Sequence, residues 1–277
     1  MCYYNGQKVT RAEYIQLLQI EKAVKDYEFL NQSVTLAFDY GKIAVLKPRY
    51  TRDNFDIVQM EWSLLPGYVK NRDQVQKFRK GYKKKDGRWQ NGYDTQNAKG
   101  EELLFAGKMY REAAIERRCL ILSSGFYEWR HVFQLNKRTG EPKKTPEKYP
   151  HYIGVKDHSY FYIAGIYQSW TDQDTGETVD TVSLVTTKAN ELMAKIHNSK
   201  ERMPTILPDA LAWEWMMDDV DEERITELAT YQFPAEQMEA CTVQKDFLKN
   251  EDPTVPFIYE DLAAMDKPSP PAQTSLF

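Results

Sequence analysis

Between residues 34 and 187 the chain repeats one pattern: a short apolar, β-prone run, then a polar stretch punctuated by Gly or Pro. The runs are 34–46, VQMEWSLLP (58–66, closed by Pro66), RCLILSSGFYEWR (118–130), HYIGVKDHSYFYIAGIY (151–167) and TVSLVTT (181–187). Runs of this composition bounded by turn residues read as strands, and 151–167 reads as a hairpin turning at Asp157-His158. Helical signals are fewer. Thr10-Arg11-Ala12-Glu13 has the form of a capping box, and Ile15, Leu18 and Val24, with Leu17 and Ile20, predict a helix to about residue 29. Shorter helices are predicted at 100–115, at KANELMAKIH (188–197) and in the acidic region 209–230. Residues 70–100 read as a long loop with a short helix, and 136–149 as a second polar insertion. Many short strands with few helices predict an α+β fold: one compact domain with a curved, barrel-like, mostly antiparallel β core and peripheral helices. That domain is expected over residues 1–250, followed by a flexible Pro-rich tail over 251–277.

With 277 residues, 42% hydrophobic and 13% aromatic, the chain has apolar material for such a core. No signal-peptide pattern and no stretch of about 18 apolar residues occurs, so a cytoplasmic protein with no membrane partner is expected. Three cysteines, Cys2, Cys119 and Cys241, give no disulfide framework, and no CxxC or HExxH spacing points to a metal. No cofactor is expected. The net charge of −4 hides an asymmetry. Lys70 to Arg88 holds nine Lys/Arg against two Asp, whereas Asp209 to Glu239 holds ten Asp/Glu against Arg224 alone. The basic run is either a solvated loop or a face for a polyanion. Tyr82, Trp89 and Tyr93, interleaved with its charges, have rings that stack on unpaired bases.

Few residues stand out chemically. Cys2 occupies a position that is usually frayed and idle. Of four histidines, His131, His151 and His158 read as surface residues. His197 ends a short helix, where it either meets the helix dipole or serves a site. Glu128 interrupts an aromatic strand. It points either to water or into a pocket, where desolvation would raise its pKa and suit it to proton transfer. Cys119 reads as buried and inert.

The start MC, then WSLLP (62–66), NAKGE (97–101), RRCLILSSGFYEW (117–129) and HNSKERMP (197–204), in this order, resemble the SOS response-associated peptidase (SRAP) family of abasic-site shielding proteins over about residues 1–215. The resemblance implies a compact domain on a β-barrel-like core with a positively charged DNA groove. It also implies covalent capture of abasic sites in single-stranded DNA by Cys2 once Met1 is removed. Such a residue carries an α-amine with pKa about 7.7–8.0 beside a thiol with pKa about 8.5, so both reactive forms are accessible near neutrality. The amine forms a Schiff base with the open-chain aldehyde, and the thiol closes a thiazolidine intramolecularly, at high effective molarity. Matched positions imply Glu128 as the proton shuttle, His197 as partner of the released sugar hydroxyl, and Asn97 as the residue holding the amine or the sugar. They imply Lys99 and Arg202 as phosphate contacts, and Trp62 as a core or stacking residue. Tyr3 and Tyr4 stand where the family has Gly-Arg, and Lys99 where it has arginine.

Two other readings stay open: an N-terminal-nucleophile peptidase acting on peptides, and a non-catalytic single-strand-binding protein. The terminal QTSLF resembles the bacterial sliding-clamp-binding pentapeptide, implying clamp contacts by Gln273, Leu276 and Phe277. A monomer, associated with the nucleoid when bound to DNA, is expected.

Overall fold

A computed structural model describes residues 2–9, 12–136 and 138–265. Behind Cys2, β1 (Tyr4–Lys8) opens the fold. A hairpin of β2 (Tyr14–Leu17) and β3 (Ile20–Ala23) stands where the capping box predicts a helix. The alternation decides it: Ile15 and Leu17 are fully buried, Tyr14 and Leu18 are exposed, and Leu18 turns the chain at φ 52°. Gln16, between the buried pair, accepts a hydrogen bond from the Tyr162 hydroxyl, which ties the hairpin to the core. β4 (Asn31–Leu36) and β5 (Lys42–Pro48) divide the 34–46 run around a 3₁₀ turn, and β6 (Phe55–Trp62) follows.

The basic stretch is more ordered than a loop. It holds α1 (Arg72–Lys80), capped by Asn71, whose side chain accepts from the Gln74 amide, then the two-residue strands β7 (Tyr82–Lys83) and β8 (Trp89–Gln90). β9 (Asn97–Lys99) and α2 (Arg111–Glu116) lead into β10 (Arg118–Ser123). The predicted strand 118–130 is two strands. β11 (Gly125–Val132) leaves for another sheet at Ser124-Gly125. A Cβ on Gly125 would lie 2.3 Å from the Tyr152 ring, so only glycine lets the chain turn there beneath that tyrosine.

β12 (Glu147–Val155) and β13 (Phe161–Thr171) flank a turn at Asp157 but do not pair, so 151–167 is not a hairpin. Each pairs with other strands, in two different sheets. The remaining elements are β14 (Thr178–Lys188), α3 (Glu191–Ile196), β15 (Arg202–Pro204), β16 (Ile206–Leu207), α4 (Asp209–Met217), α5 (Glu222–Ala229), β17 (Met238–Thr242) and α6 (Glu260–Met265).

Strands β14, β6, β5, β10 and β13 pair in a ring that closes through β13–β14, a five-stranded barrel with β9, β15 and β16 added at its margins. Closure leaves the barrel strands no open edge. A second sheet, in the order β17-β12-β11-β1-β4, packs against it. The unbroken apolar run in β10 follows from this arrangement. Leu120 and Leu122 join Trp215 and the helices in one cluster, while Cys119 and Ile121 join Cys2, Phe126 and Ile153 in another.

The protein is thus one α+β domain on a curved, barrel-like and mostly antiparallel core, with its helices at the periphery. Residues 251–262, assigned to the tail by composition, lie against the body. The Phe257 amide donates to the Thr242 carbonyl, the Tyr259 hydroxyl to the Val243 carbonyl, and Leu262 is buried. Gln273, Leu276 and Phe277 lie outside the described residues. Among the described residues no helix is long and apolar enough to cross a membrane.

Candidate active site

Strand alternation gathers the site. On β11, Phe126 faces the cluster that contains Cys2, and Glu128, two residues on, faces the same way. Glu128 is 5% exposed, which decides between the two sequence readings: it points inward. β1 runs antiparallel to β11 with Asn5 opposite Phe126 and Gly6 opposite Gly125, so Cys2, just before β1, is brought alongside that face. The Tyr3 carbonyl, bonded to the Ala37 amide at 2.9 Å, fixes the backbone there. Cys2 is 1% exposed.

His197 arrives from the other side. Asn190 caps α3 by accepting from the Met193 amide, Met193 and Ile196 bury the helix face, and His197 closes the helix. Asn198 clips the following loop to β11. Its side-chain oxygen accepts from the His131 amide at 3.0 Å, and its side-chain nitrogen donates to the His131 carbonyl at 2.8 Å. The result is a distance of 3.7 Å between His197 Nε2 and Glu128 Oε2, both side chains buried.

Burial pushes the Glu128 carboxyl up to about 8 and the His197 imidazole down to about 4, so near neutrality a neutral acid faces a neutral imidazole. His197 Nδ1 lies 2.8 Å from the Arg202 carbonyl oxygen, to which it donates, and this leaves the Nε2 lone pair towards Glu128. His197 is buried against Glu128 at the end of α3 rather than exposed on the helix end. Burial, then the Glu128 carboxylate, pushes the Cys2 thiol up, and it stays protonated unless a base removes its proton.

Glu128 and His197 line a cleft of about 350 Å³ with Tyr3, Tyr4, Phe38, Trp129, His131, Lys148 and Lys200. Tyr3 stacks on Phe38 with ring centroids 4.5 Å apart, and its hydroxyl donates to Asp94. Tyr4 meets Trp129 edge-on at 4.8 Å. The two tyrosines are therefore aromatic wall, with the exposed Lys148 and Lys200 as cations at the rim.

Asn97 sits on β9 beside Leu184 of β14, 6% exposed, and neither its amide nitrogen nor its oxygen has a hydrogen-bond partner among the described residues. A buried amide left unpaired in this way is unusual in a core and common in a binding site. Its neighbour Gln96 donates to the Ala37 carbonyl, on the residue whose amide holds Tyr3.

The three expected DNA contacts have different surroundings. Trp62 is fully buried, its indole nitrogen donating to the Gln96 carbonyl at 3.0 Å, so it is core and cannot stack on DNA. The Arg202 guanidinium is clamped by Glu101 at 2.7 and 2.9 Å and by the Thr186 carbonyl, and its bearing on the site is through its own carbonyl on His197. Lys99 is exposed and pairs with Glu102 at 2.9 Å. His151, read as a surface residue, is instead buried directly opposite Glu128 on β12, and His131 lines the cleft. Register between β11 and β12 brings His151 there, and no spacing in the sequence announces it. Among the described residues no cluster of His, Cys, Asp and Glu could hold a metal.

The sequence profile of the SOS response associated peptidase (SRAP) family matches residues 1–250. The chain belongs to this family. The abasic site processing protein YoqW of Bacillus subtilis is 32% identical over 152 residues, 55% of this chain and 61% of that protein. The chain thus spans less than two thirds of that relative's length. The abasic site processing protein HMCES of Gallus gallus is 25% identical over 174 residues, 58% of this chain and 45% of that protein. A crystal structure of a protein from Bacteroides thetaiotaomicron superposes with a TM-score of 0.70 at 26% identity, covering 93% of this chain and all of that one. One from Bordetella bronchiseptica shares the fold, with a TM-score of 0.59 at 16% identity over 88% of this chain and 100% of that one. The SRAP resemblance drawn from the five motifs and the SRAP-like core are both borne out.

Proposed function

We propose that this SRAP member captures abasic sites in single-stranded DNA covalently, through Cys2 after removal of Met1, as part of a DNA damage response. The observation that carries the reading is the buried Glu128–His197 pair, 3.7 Å apart in a cleft beside a buried cysteine at position 2. The names of the relatives support the substrate class.

The steps follow from the groups present. The Cys2 amine adds to the aldehyde carbon of the ring-opened sugar. Glu128, protonated near neutrality, gives its proton to the departing oxygen, and water leaves as the imine forms. The thiol, which burial keeps protonated, then adds across the C=N bond. Sulfur bonds to carbon, the nitrogen of the protonated imine takes back the C=N electron pair and keeps its hydrogen, and the thiol proton goes to the Glu128 carboxylate, which restores the acid. His197, with its Nε2 lone pair turned to the cleft, accepts from the sugar hydroxyl freed on ring opening. Asn97 supplies an amide for the Cys2 nitrogen or the sugar. Lys99 and Arg202 complete the proposed set, Lys99 by exchanging Glu102 for a phosphate and Arg202 by holding His197.

Removal of Met1 by the protein itself would account for the peptidase label, and reversal of the adduct by the same pair would be a lyase activity. The terminal Gln273, Leu276 and Phe277 would bring the protein to a sliding clamp. Clamp pull-down unchanged by their deletion would dismiss that part. The decisive experiment incubates the protein with an oligonucleotide carrying one abasic site and resolves it on a denaturing gel. A DNA-linked band is expected, absent for Cys2→Ala. A band that survives this substitution, or peptide turnover indifferent to DNA, would overturn the reading.

A further inference from the structure

Residues 72–93 form an arm outside the barrel that the capture chemistry does not use. Its neck is tightly built. A Cβ on Gly92 would lie 2.2 Å from the Arg79 carbonyl oxygen, and one on Gly81, at φ 80°, 2.4 Å from the Gln90 oxygen, so two glycines let the outgoing and returning strands cross. The Tyr93 amide donates to the Phe78 carbonyl at 2.8 Å, and the two rings stack at 4.9 Å. Buried Arg79 pairs with Glu61 at 2.8 Å, lies over the Tyr40 ring, and its carbonyl accepts from the Tyr40 hydroxyl. The next residue out of the neck, Asp94, accepts from the Tyr3 hydroxyl of the cleft wall. The arm is thus rooted rigidly on the rim of the candidate site.

Its outer part does nothing for the core. Trp89 is 62% exposed on a strand of two residues, where a tryptophan adds no folding energy. In the register of the hairpin Trp89 stands opposite Lys83, so a ring and a cation share one face. The turn that joins them carries Lys84 and Lys85, and α1 adds exposed Lys77 and Lys80. Arg88 is held by Asp86 at 2.7 Å, whereas none of these lysines has an acidic partner among the described residues.

We propose that this arm is a second contact for single-stranded DNA, gripping the strand that leaves the cleft: Lys83 and Lys85 on phosphates, Trp89 stacked on a base. The proposal rests on the reading of the cleft as an abasic-site site. It extends that site by a patch that sets affinity and leaves the chemistry untouched. Charge complementarity selects a polyanion, and an exposed ring beside the charges selects unpaired bases over a duplex, whose base faces are covered.

The test is fluorescence anisotropy with intact oligonucleotides that carry no abasic site, one of about 20 nucleotides and one of about 5, with a duplex of the longer length. Trp89→Ala is expected to weaken binding of the long single strand by about tenfold or more and to leave the short strand and the duplex unchanged. Lys83→Glu with Lys85→Glu should flatten the dependence of log affinity on log salt by about 1.4, at roughly 0.7 per lost phosphate contact. At saturating abasic DNA these variants should form adduct at the wild-type rate, with only the half-saturating concentration raised. Unchanged affinity for the long strand, or equal losses on all three DNAs, would overturn the proposal. Failure of the capture reading shows separately, as a wild-type protein that binds intact strand through the arm yet forms no adduct.

Discussion

Glu128 is a carboxyl whose burial and proton affinity set its role together. Because desolvation holds it protonated to about pH 8, capture should fall as pH rises through that value, while protonation of the α-amine below about 7.7 should limit it on the acid side. A bell-shaped rate profile is expected. Glu128→Gln should lower the maximum by about a hundredfold and remove the alkaline limb, read as adduct formed against time at a series of pH values. Asn97 makes the opposite case for stability. Its amide is buried without partners among the described residues, so Asn97→Leu should leave thermal stability unchanged or raise it by about 1 kcal/mol, while adduct formation collapses. A fall in Tm equal to that of an ordinary core substitution would show that the amide is structural. Cys2, Glu128 and His197 were legible as candidates from residue type and order. His151 was not, since only the pairing of β11 with β12 places it opposite Glu128.

Among elements, the break between β10 and β11 controls the site most directly. Gly125 lets β11 leave the barrel sheet, and β11 then carries Glu128 inward. Gly125→Ala would drive a methyl into the Tyr152 ring and should destabilise the fold by about 1–3 kcal/mol, seen as a lower denaturation midpoint, with capture reduced because Glu128 shifts with the strand. Elements were read well where the pattern was local. Thr178–Lys188, Glu191–Ile196 and Phe55–Trp62 lie close to the segments predicted for them. They were misread where two periods overlapped. Ile15, Leu17, Leu18 and Ile20 satisfy both a helix and a hairpin, and the burial of Ile15 and Leu17 in one cluster with Leu30 and Phe55 selects the hairpin.

At the scale of the molecule, burial of the Glu128–His197 pair couples fold stability to pH. Glu128 has a folded pKa raised above its unfolded value, so its contribution is full below about pH 4.5 and is lost as pH rises towards 8. His197 has a lowered folded pKa, so its contribution is present above about 6.5 and is lost as pH falls towards 4. Glu128→Gln should therefore stabilise the protein at pH 9 relative to pH 5, by on the order of a few kcal/mol, measured as Tm across that range. Deleting residues 251–262 should lower Tm at every pH, since it uncovers the surface against which Leu262, Phe257 and Tyr259 pack.

The family and the α+β class were written in short motifs, and Cys2 and Glu128 stood out there as candidates, because residue type and order carry chemistry directly. The pairing of β14 with β6 that completes the barrel, the two-sheet split at Gly125, and the core placement of Trp62 belong to the tertiary structure alone. So does the burial of Glu128 and His197. Each depends on which strands become neighbours across more than a hundred residues or on what excludes water from a side chain. Neither is a property of any local stretch of sequence.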